Sequence, residues 1–367
     1  MFAETDQMIH TEVKSRAINW RQVGAFLGLT FGLTWLLNLA IYLRGGLEAP
    51  GVLTVLQLQM LLPAFSAILL GMFFFPDSPI YYRKDAGRGR WFYYFFLVLT
   101  AVYTIGALAA WFAPGDSTIL AVSAVTQILA ILGVVFLVVL RFIAGREAMA
   151  RVWLSWGSWR YWLIFGIAIA AYYVLQVVLN AVTGLSGSTI ALPTALPTIP
   201  GMDANAFFVL ALVQSVLVGP FIGIVIAFGE EYGWRGYLQN ELFKMGRLRG
   251  VLLLGVIWGA WHWPLILMGY NFPGQPLLGV LLMTLYTIGL AVVLGYVVLK
   301  SGSVLLASYL HALNNQVLSF LFVMGFEPYD RVLSFGIGIY GAITLAVACF
   351  LILRDPIWRG TGGTLPE

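Results

Sequence analysis

The sequence predicts an all-α fold: a polytopic transmembrane helix bundle of about ten spanning helices, with both termini cytoplasmic. Three observations carry this reading. Of the 367 residues, 60% are hydrophobic and 10% charged, against about 25% charged in soluble proteins. With a mean hydropathy of +0.90, no water-facing fold can absorb the apolar surface, so the solvent is lipid. Ten apolar stretches then approach the ~20 residues that a spanning helix needs. Finally, Lys and Arg alternate along the chain as expected if they concentrate in cytoplasmic segments.

The elements follow in chain order. Residues 1–22 form a polar cytoplasmic leader containing His10, read as a solvated residue. The first apolar stretch is full length, which indicates a retained span and no cleaved signal peptide. Spans at 23–43, 51–75, 91–112, 119–142 and 159–182 make a five-helix membrane part, 23–182, to which the sequence assigns no role. The connection 183–205, "TGLSGSTIALPTALPTIPGMDAN", is rich in Gly, Ser, Thr and Pro, hence irregular, and extracytoplasmic. Residues 206–325 hold spans at 206–228, 251–270, 278–299 and 303–324, the last being the weakest because "HALNNQ" lies inside it. A final span at 332–353 and a cytoplasmic tail complete the segment 326–367. With the N-terminus inside, eighteen of the twenty Lys and Arg residues fall on the cytoplasmic side, and only Arg44 and Arg331 fall outside. Thirteen Trp and seventeen Tyr suit a chain with many membrane interfaces. Cys349 is alone, so no internal disulfide forms.

Against this background the segment "GEEYGWRGYL", 229–238, stands out, because Glu230, Glu231 and Arg235 follow an apolar run. If the sixth helix ends at Phe228, these charges sit at the interface. A second reading breaks the helix at Gly219-Pro220 and runs a new piece from Phe221 to Phe243, which places Glu230 about 20 Å before Lys244 and near mid-depth. The second reading is preferred, because aromatic and apolar residues continue to Phe243. Ionisable groups at that depth are costly and mark function. Glu231 and Arg235 are spaced i,i+4 with the acid first, a favourable helical ion pair. Glu230 has Trp234 at i+4 and no ionic partner on its own helix, which leaves it free to act as a general base.

Two histidines also fall inside apolar runs. His262 of "WGAWHWP" lies about 16 Å beyond Val251, and His311 of "SYLHALNN" about 12 Å beyond Ser303. His311 and Asn315 share a helix face by i,i+4 spacing, with Asn314 as the alternative amide. A carboxylate that takes a proton from water, an imidazole sharing that water, and an imidazole with a carboxamide facing an oxyanion would suffice to hydrolyse an amide. No serine sits in a G-x-S-x-G elbow, so covalent catalysis has little support. Glu230, His262 and His311 also match a two-His, one-Glu zinc set drawn from separate helices. No cofactor is certain, and a divalent zinc at Glu230, His262 and His311 is possible. Read individually, the same residues fit helix stapling, helix–helix hydrogen bonds or core histidines. A transporter or proton relay and a non-catalytic immunity or scaffold protein are the competing functions.

The three pieces together resemble the CPBP family, intramembrane proteases related to CAAX prenyl endopeptidases and to bacteriocin-processing or immunity proteins. "EEYGWR" looks like its E-E-x-x-x-R motif, "WGAWH" its F-x-x-x-H and "HALNN" its H-x-x-x-N. The resemblance covers about residues 206–325. It implies that Glu230 activates water, His262 positions it, His311 and Asn315 form the oxyanion site, and Glu231 and Arg235 orient the first motif. It favours Asn315 over Asn314. Trp258 stands where the family usually has Phe, a change expected to affect packing only. The resemblance implies a membrane-associated peptide or protein substrate in a lipid bilayer and no nucleic acid. Sixteen Arg against four Lys suggest a GC-rich bacterial genome and hence a bacterial cell membrane.

Overall fold

The structure, a computed structural model, describes residues 17–75, 84–184, 202–321, 330, 332–333 and 336–362. Among them are ten helices of at least ten residues and no strand: α1 (Trp20–Leu43), α2 (Val52–Phe73), α3 (Trp91–Phe112), α4 (Asp116–Arg151), α5 (Trp159–Thr183), α6 (Ala204–Met245), α7 (Arg247–Leu267), α8 (Pro276–Ser301), α9 (Val304–Phe320) and α10 (Ile339–Ile352). Each predicted apolar stretch contains a helix among the described residues, in the predicted order. Among the described residues, eight are long and apolar enough to cross a membrane. The other two are α9, with 17 residues, and α10, with 14. Residues 1–16 with His10, the loop residues 185–201, residues 322–329 and Arg331 lie outside the described residues.

Side-chain caps start several helices by satisfying their first free N–H groups. Asn19 Oδ1 accepts from the Gln22 N–H at 3.2 Å, and Asp203 Oδ1 from the Asn205 N–H at 2.8 Å. Ser303 Oγ accepts from the Leu306 N–H at 3.0 Å. Only Gly302 and Ser303 separate α8 from α9, so these two helices run antiparallel as neighbours.

The sixth helix departs from both sequence readings. It neither ends at Phe228 nor breaks at Gly219-Pro220, but runs 42 residues from Ala204 to Met245. A π-helical stretch at Gln214–Val218 directly precedes Pro220. Its wider turn accommodates the proline ring and missing N–H without a break. A second π-helical stretch, Tyr232–Leu238, follows the two glutamates. Every residue from Ala227 to Phe243 is buried. This half of α6 is the shaft of the bundle, with α2, α4, α7, α8 and α9 packed around it.

Small residues set how close the neighbours come. Gly229 and Gly233, one turn apart, flank the two glutamates against α2. A Cβ on Gly229 would lie 2.6 Å from Leu61 Cα, and one on Gly233 2.6 Å from the Pro63 carbonyl carbon. This is the small-xxx-small contact of membrane helices, where backbones touch because no side chain intervenes. It fixes the depth and rotation of Glu230 and Glu231.

Candidate active site

Glu230 and Glu231 are adjacent on α6 and therefore point about 100° apart. The two carboxylates meet different surroundings. Glu231 is fully buried and turned toward α9. Its Oε1 accepts from Arg235 Nη1 at 3.0 Å and from His311 Nδ1 at 2.7 Å. The i,i+4 pair read from the sequence is present, and it does more than staple one helix, because the same oxygen holds a histidine 80 residues away. Arg235 is also fully buried, its guanidinium carbon 4.1 Å from the centre of the Trp258 ring.

Glu230 faces a cavity of about 210 Å³. It has no ionic partner among the described residues, but it is not free of contacts. The Trp258 indole N–H donates to its Oε2 at 2.7 Å. The expectation that Trp258 merely replaces an aromatic packing residue is therefore corrected. A Phe at this position has no N–H to give.

His262 lines the same cavity, and its Nδ1 lies 2.8 Å from the Trp258 carbonyl oxygen. A carbonyl only accepts, so Nδ1 carries the proton, and Nε2 is left as the nitrogen with a lone pair. The Trp261 ring meets His262 edge-on at 4.7 Å, and the Trp261 N–H is tied to Thr34 of α1 at 2.9 Å. In His311, Nδ1 is held by Glu231, which again leaves Nε2 unheld on a residue that lines the cavity.

The two asparagines divide. Asn315 lines the cavity, and its Oδ1 accepts from Asn314 Nδ2 at 3.2 Å, which leaves its own amide N–H groups available. Asn314 is buried between helices. Its Oδ1 accepts from Tyr173 of α5 at 2.8 Å and from Tyr286 of α8 at 3.0 Å. Thus Glu230, His262, His311 and Asn315 line one cavity, while Glu231 and Arg235 lie behind it. Among the described residues, no three His, Cys, Asp or Glu side chains come together as a metal-holding group.

Sequence reasoning missed the supports. Leu56, Gln59 and Met60 of α2 form part of the cavity wall, Thr34 of α1 holds Trp261, and Tyr173 of α5 holds Asn314. Three of the five N-terminal helices thus buttress or line the cavity. No short-range pattern marks such contacts. The one visible signal was a tryptophan where the motif usually has phenylalanine.

Residues 212–317 match the family model described as type II CAAX prenyl endopeptidase Rce1-like. The matched stretch runs from α6 into α9 and contains all six candidate residues. Comparison with curated proteins and with solved structures gives no match. The family match supports the CPBP and CAAX-protease resemblance, and with it intramembrane proteolysis as the general activity. Together with eight long apolar helices, it fits a multi-pass membrane protein acting on a peptide substrate at a bilayer.

Proposed function

We propose that this protein is an intramembrane endopeptidase in which Glu230 activates a water molecule to hydrolyse a peptide bond. One observation carries the reading. Four side chains from α6, α7 and α9 line one cavity, and all four have one polar atom anchored while a second stays available.

Glu230 is held through Oε2 by the Trp258 N–H, so Oε1 takes the proton from water. His262 Nε2 accepts the other hydrogen of that water and orients its lone pair toward the substrate carbonyl carbon. As the C–O bond forms, the carbonyl oxygen becomes an oxyanion. Asn315 Nδ2 and His311 Nε2 donate to it. Donation from Nε2 requires His311 to be the imidazolium, since its Nδ1 proton is already given to Glu231. The charges then balance: two carboxylates face one guanidinium and one imidazolium, a neutral set in a low-dielectric site. Glu230 returns the proton to the leaving nitrogen as the C–N bond breaks. No step passes through a metal ion.

The test is Glu230→Gln in protein reconstituted in bicelles, read as cleavage of a quenched peptide library. The expected loss in kcat/KM is about 100-fold or more, with near-UV circular dichroism unchanged. Asn315→Ala is expected to lose about 100-fold by removing an oxyanion donor. Cleavage by folded Glu230→Gln at the parent rate would reject the proposal.

A further inference from the structure

A second cavity, of about 820 Å³, opens at one end of the bundle and shares no lining residue with the first. Arg141 and Arg146 of α4, Trp156 and Trp159 at the turn into α5, and Lys300 of α8 line it. Arg141 and Arg146 are five residues apart, which on an unbroken helix would set them about 140° apart. Between them Gly145 takes a φ of +80°, outside helical values, and bends α4. Both arginines consequently reach the same cavity.

The charge there is not cancelled. Lys300 is paired with Asp355 at 2.6 Å, and Glu147 is paired with Arg151. Arg141 and Arg146 have no carboxylate partner among the described residues, so two guanidiniums remain. Trp156 adds a fixed donor. Its ring is stacked on Trp162 at 5.9 Å, and its Nε1 is buried without a hydrogen-bond partner among the described residues. Guanidinium forks and an indole N–H match the oxygens of a phosphate ester.

Position selects the source of that phosphate. The cavity lies where α5 begins at Trp159 and α8 ends at Ser301, both candidate span limits. That is head-group level, and Trp159 is 70% exposed there, as interfacial indoles are. A bias of basic residues toward cytoplasmic segments explains arginines in this segment. It does not explain a helix bent so that two of them line one cavity beside an indole whose buried N–H has no partner among the described residues. Basic pockets between membrane helices are suited to anionic lipid head groups. We infer that this cavity is a head-group site for an anionic phospholipid, its phosphodiester held by Arg141, Arg146 and the Trp156 N–H.

The full-length protein in a zwitterionic detergent is titrated with dioctanoyl phosphatidylglycerol, and in separate arms with dioctanoyl phosphatidylcholine and inorganic phosphate, with bound ligand read by native mass spectrometry. Arg141→Gln/Arg146→Gln is expected to weaken phosphatidylglycerol binding about 30-fold, from two cations near a membrane surface. Trp156→Phe, which removes only the N–H, is expected to weaken it about fivefold. Arg354→Gln/Arg359→Gln removes equal charge outside the cavity and is expected to change binding less than about twofold. Unchanged binding in the Arg141/Arg146 variant would overturn the inference, as would an equal loss in the Arg354/Arg359 variant. So would arginine-dependent binding of inorganic phosphate as tight as that of the lipid, which would make free phosphate the ligand. If the double arginine variant does not fold, Trp156→Phe decides alone: a fivefold loss supports the site, and no loss overturns it.

Discussion

The Glu231–Arg235 pair lies at the centre of the bundle, and its removal has a calculable consequence. Both side chains are fully buried and 3.0 Å apart. At an effective dielectric of ~20, that separation corresponds to about 5–6 kcal/mol of attraction, most of it offset by the cost of taking both charges out of water. The net worth of the pair is therefore small, but the cost of breaking it is not. Arg235→Met leaves the buried Glu231 carboxylate with His311 as its one charged partner among the described residues, and Glu231→Leu leaves a buried guanidinium. Each is expected to cost about 3–5 kcal/mol. Glu231→Leu/Arg235→Met leaves neither charge. Its expected cost is about 1–3 kcal/mol, chiefly for the His311 Nδ1–H that loses its acceptor. The coupling between the two changes is thus about 3 kcal/mol or more. Reversible unfolding by SDS in bicelles gives the three free energies, and repeating the series at about 0.05 and 0.5 M salt should leave them unchanged, since a buried pair is screened little. Additivity within about 0.5 kcal/mol, as for unconnected sites, would refute the placement of this pair.

Three further outcomes are expected. Trp258→Phe keeps an aromatic ring beneath Arg235 but removes the N–H at 2.7 Å from Glu230. A hydrogen bond to a charged group is worth about 1.5–3 kcal/mol, so kcat/KM for peptide cleavage should fall about 10- to 100-fold, and a change under twofold would contradict the proposed support. Gly233→Ala places a Cβ 2.6 Å from backbone of Pro63, whereas Gly236→Ala meets its nearest atom, Tyr232 Cδ2, at 3.4 Å. Thermal unfolding should show about 1–3 kcal/mol lost by the first and little by the second; equal losses would disprove the close α2–α6 contact. Asp355, beyond the end of α10, is held down at about 2 by Lys300, the Ile357 N–H and the Tyr296 hydroxyl. A depressed carboxyl stabilises above its unfolded value of 3.8 and loses that contribution as pH falls toward 2. The parent should therefore melt above Asp355→Asn at pH 6, with the gap closing between about pH 4 and 2; a gap that widens with acid would have the wrong sign.

The helices were legible because lipid demands long apolar runs, and that demand is written locally along the chain. Their ends were less legible. The sixth helix was misjudged at Gly219-Pro220 because proline and glycine usually interrupt a helix, and nothing local signals that a π-helical stretch will absorb the ring. The candidate residues were legible for a related reason. A charge in an apolar run is conspicuous, and i,i+4 spacing predicted the partner of Glu231. Contacts between helices carry no such signature. The Trp258 N–H reaches Glu230 across 28 residues, and His311 reaches Glu231 across 80. These two bonds change the logic of the motif. On spacing alone, Glu231 and Arg235 form a closed pair and Glu230 stands apart. With Trp258 donating to Glu230, stacking on Arg235 and accepting from His262 through its carbonyl oxygen, one residue joins both carboxylates' surroundings to the first histidine. The two glutamates are then not one inert and one active, but two ends of a single hydrogen-bonded frame. Displacing the tryptophan should consequently disturb Glu230 and His262 together, which separates this arrangement from one built of independent motifs.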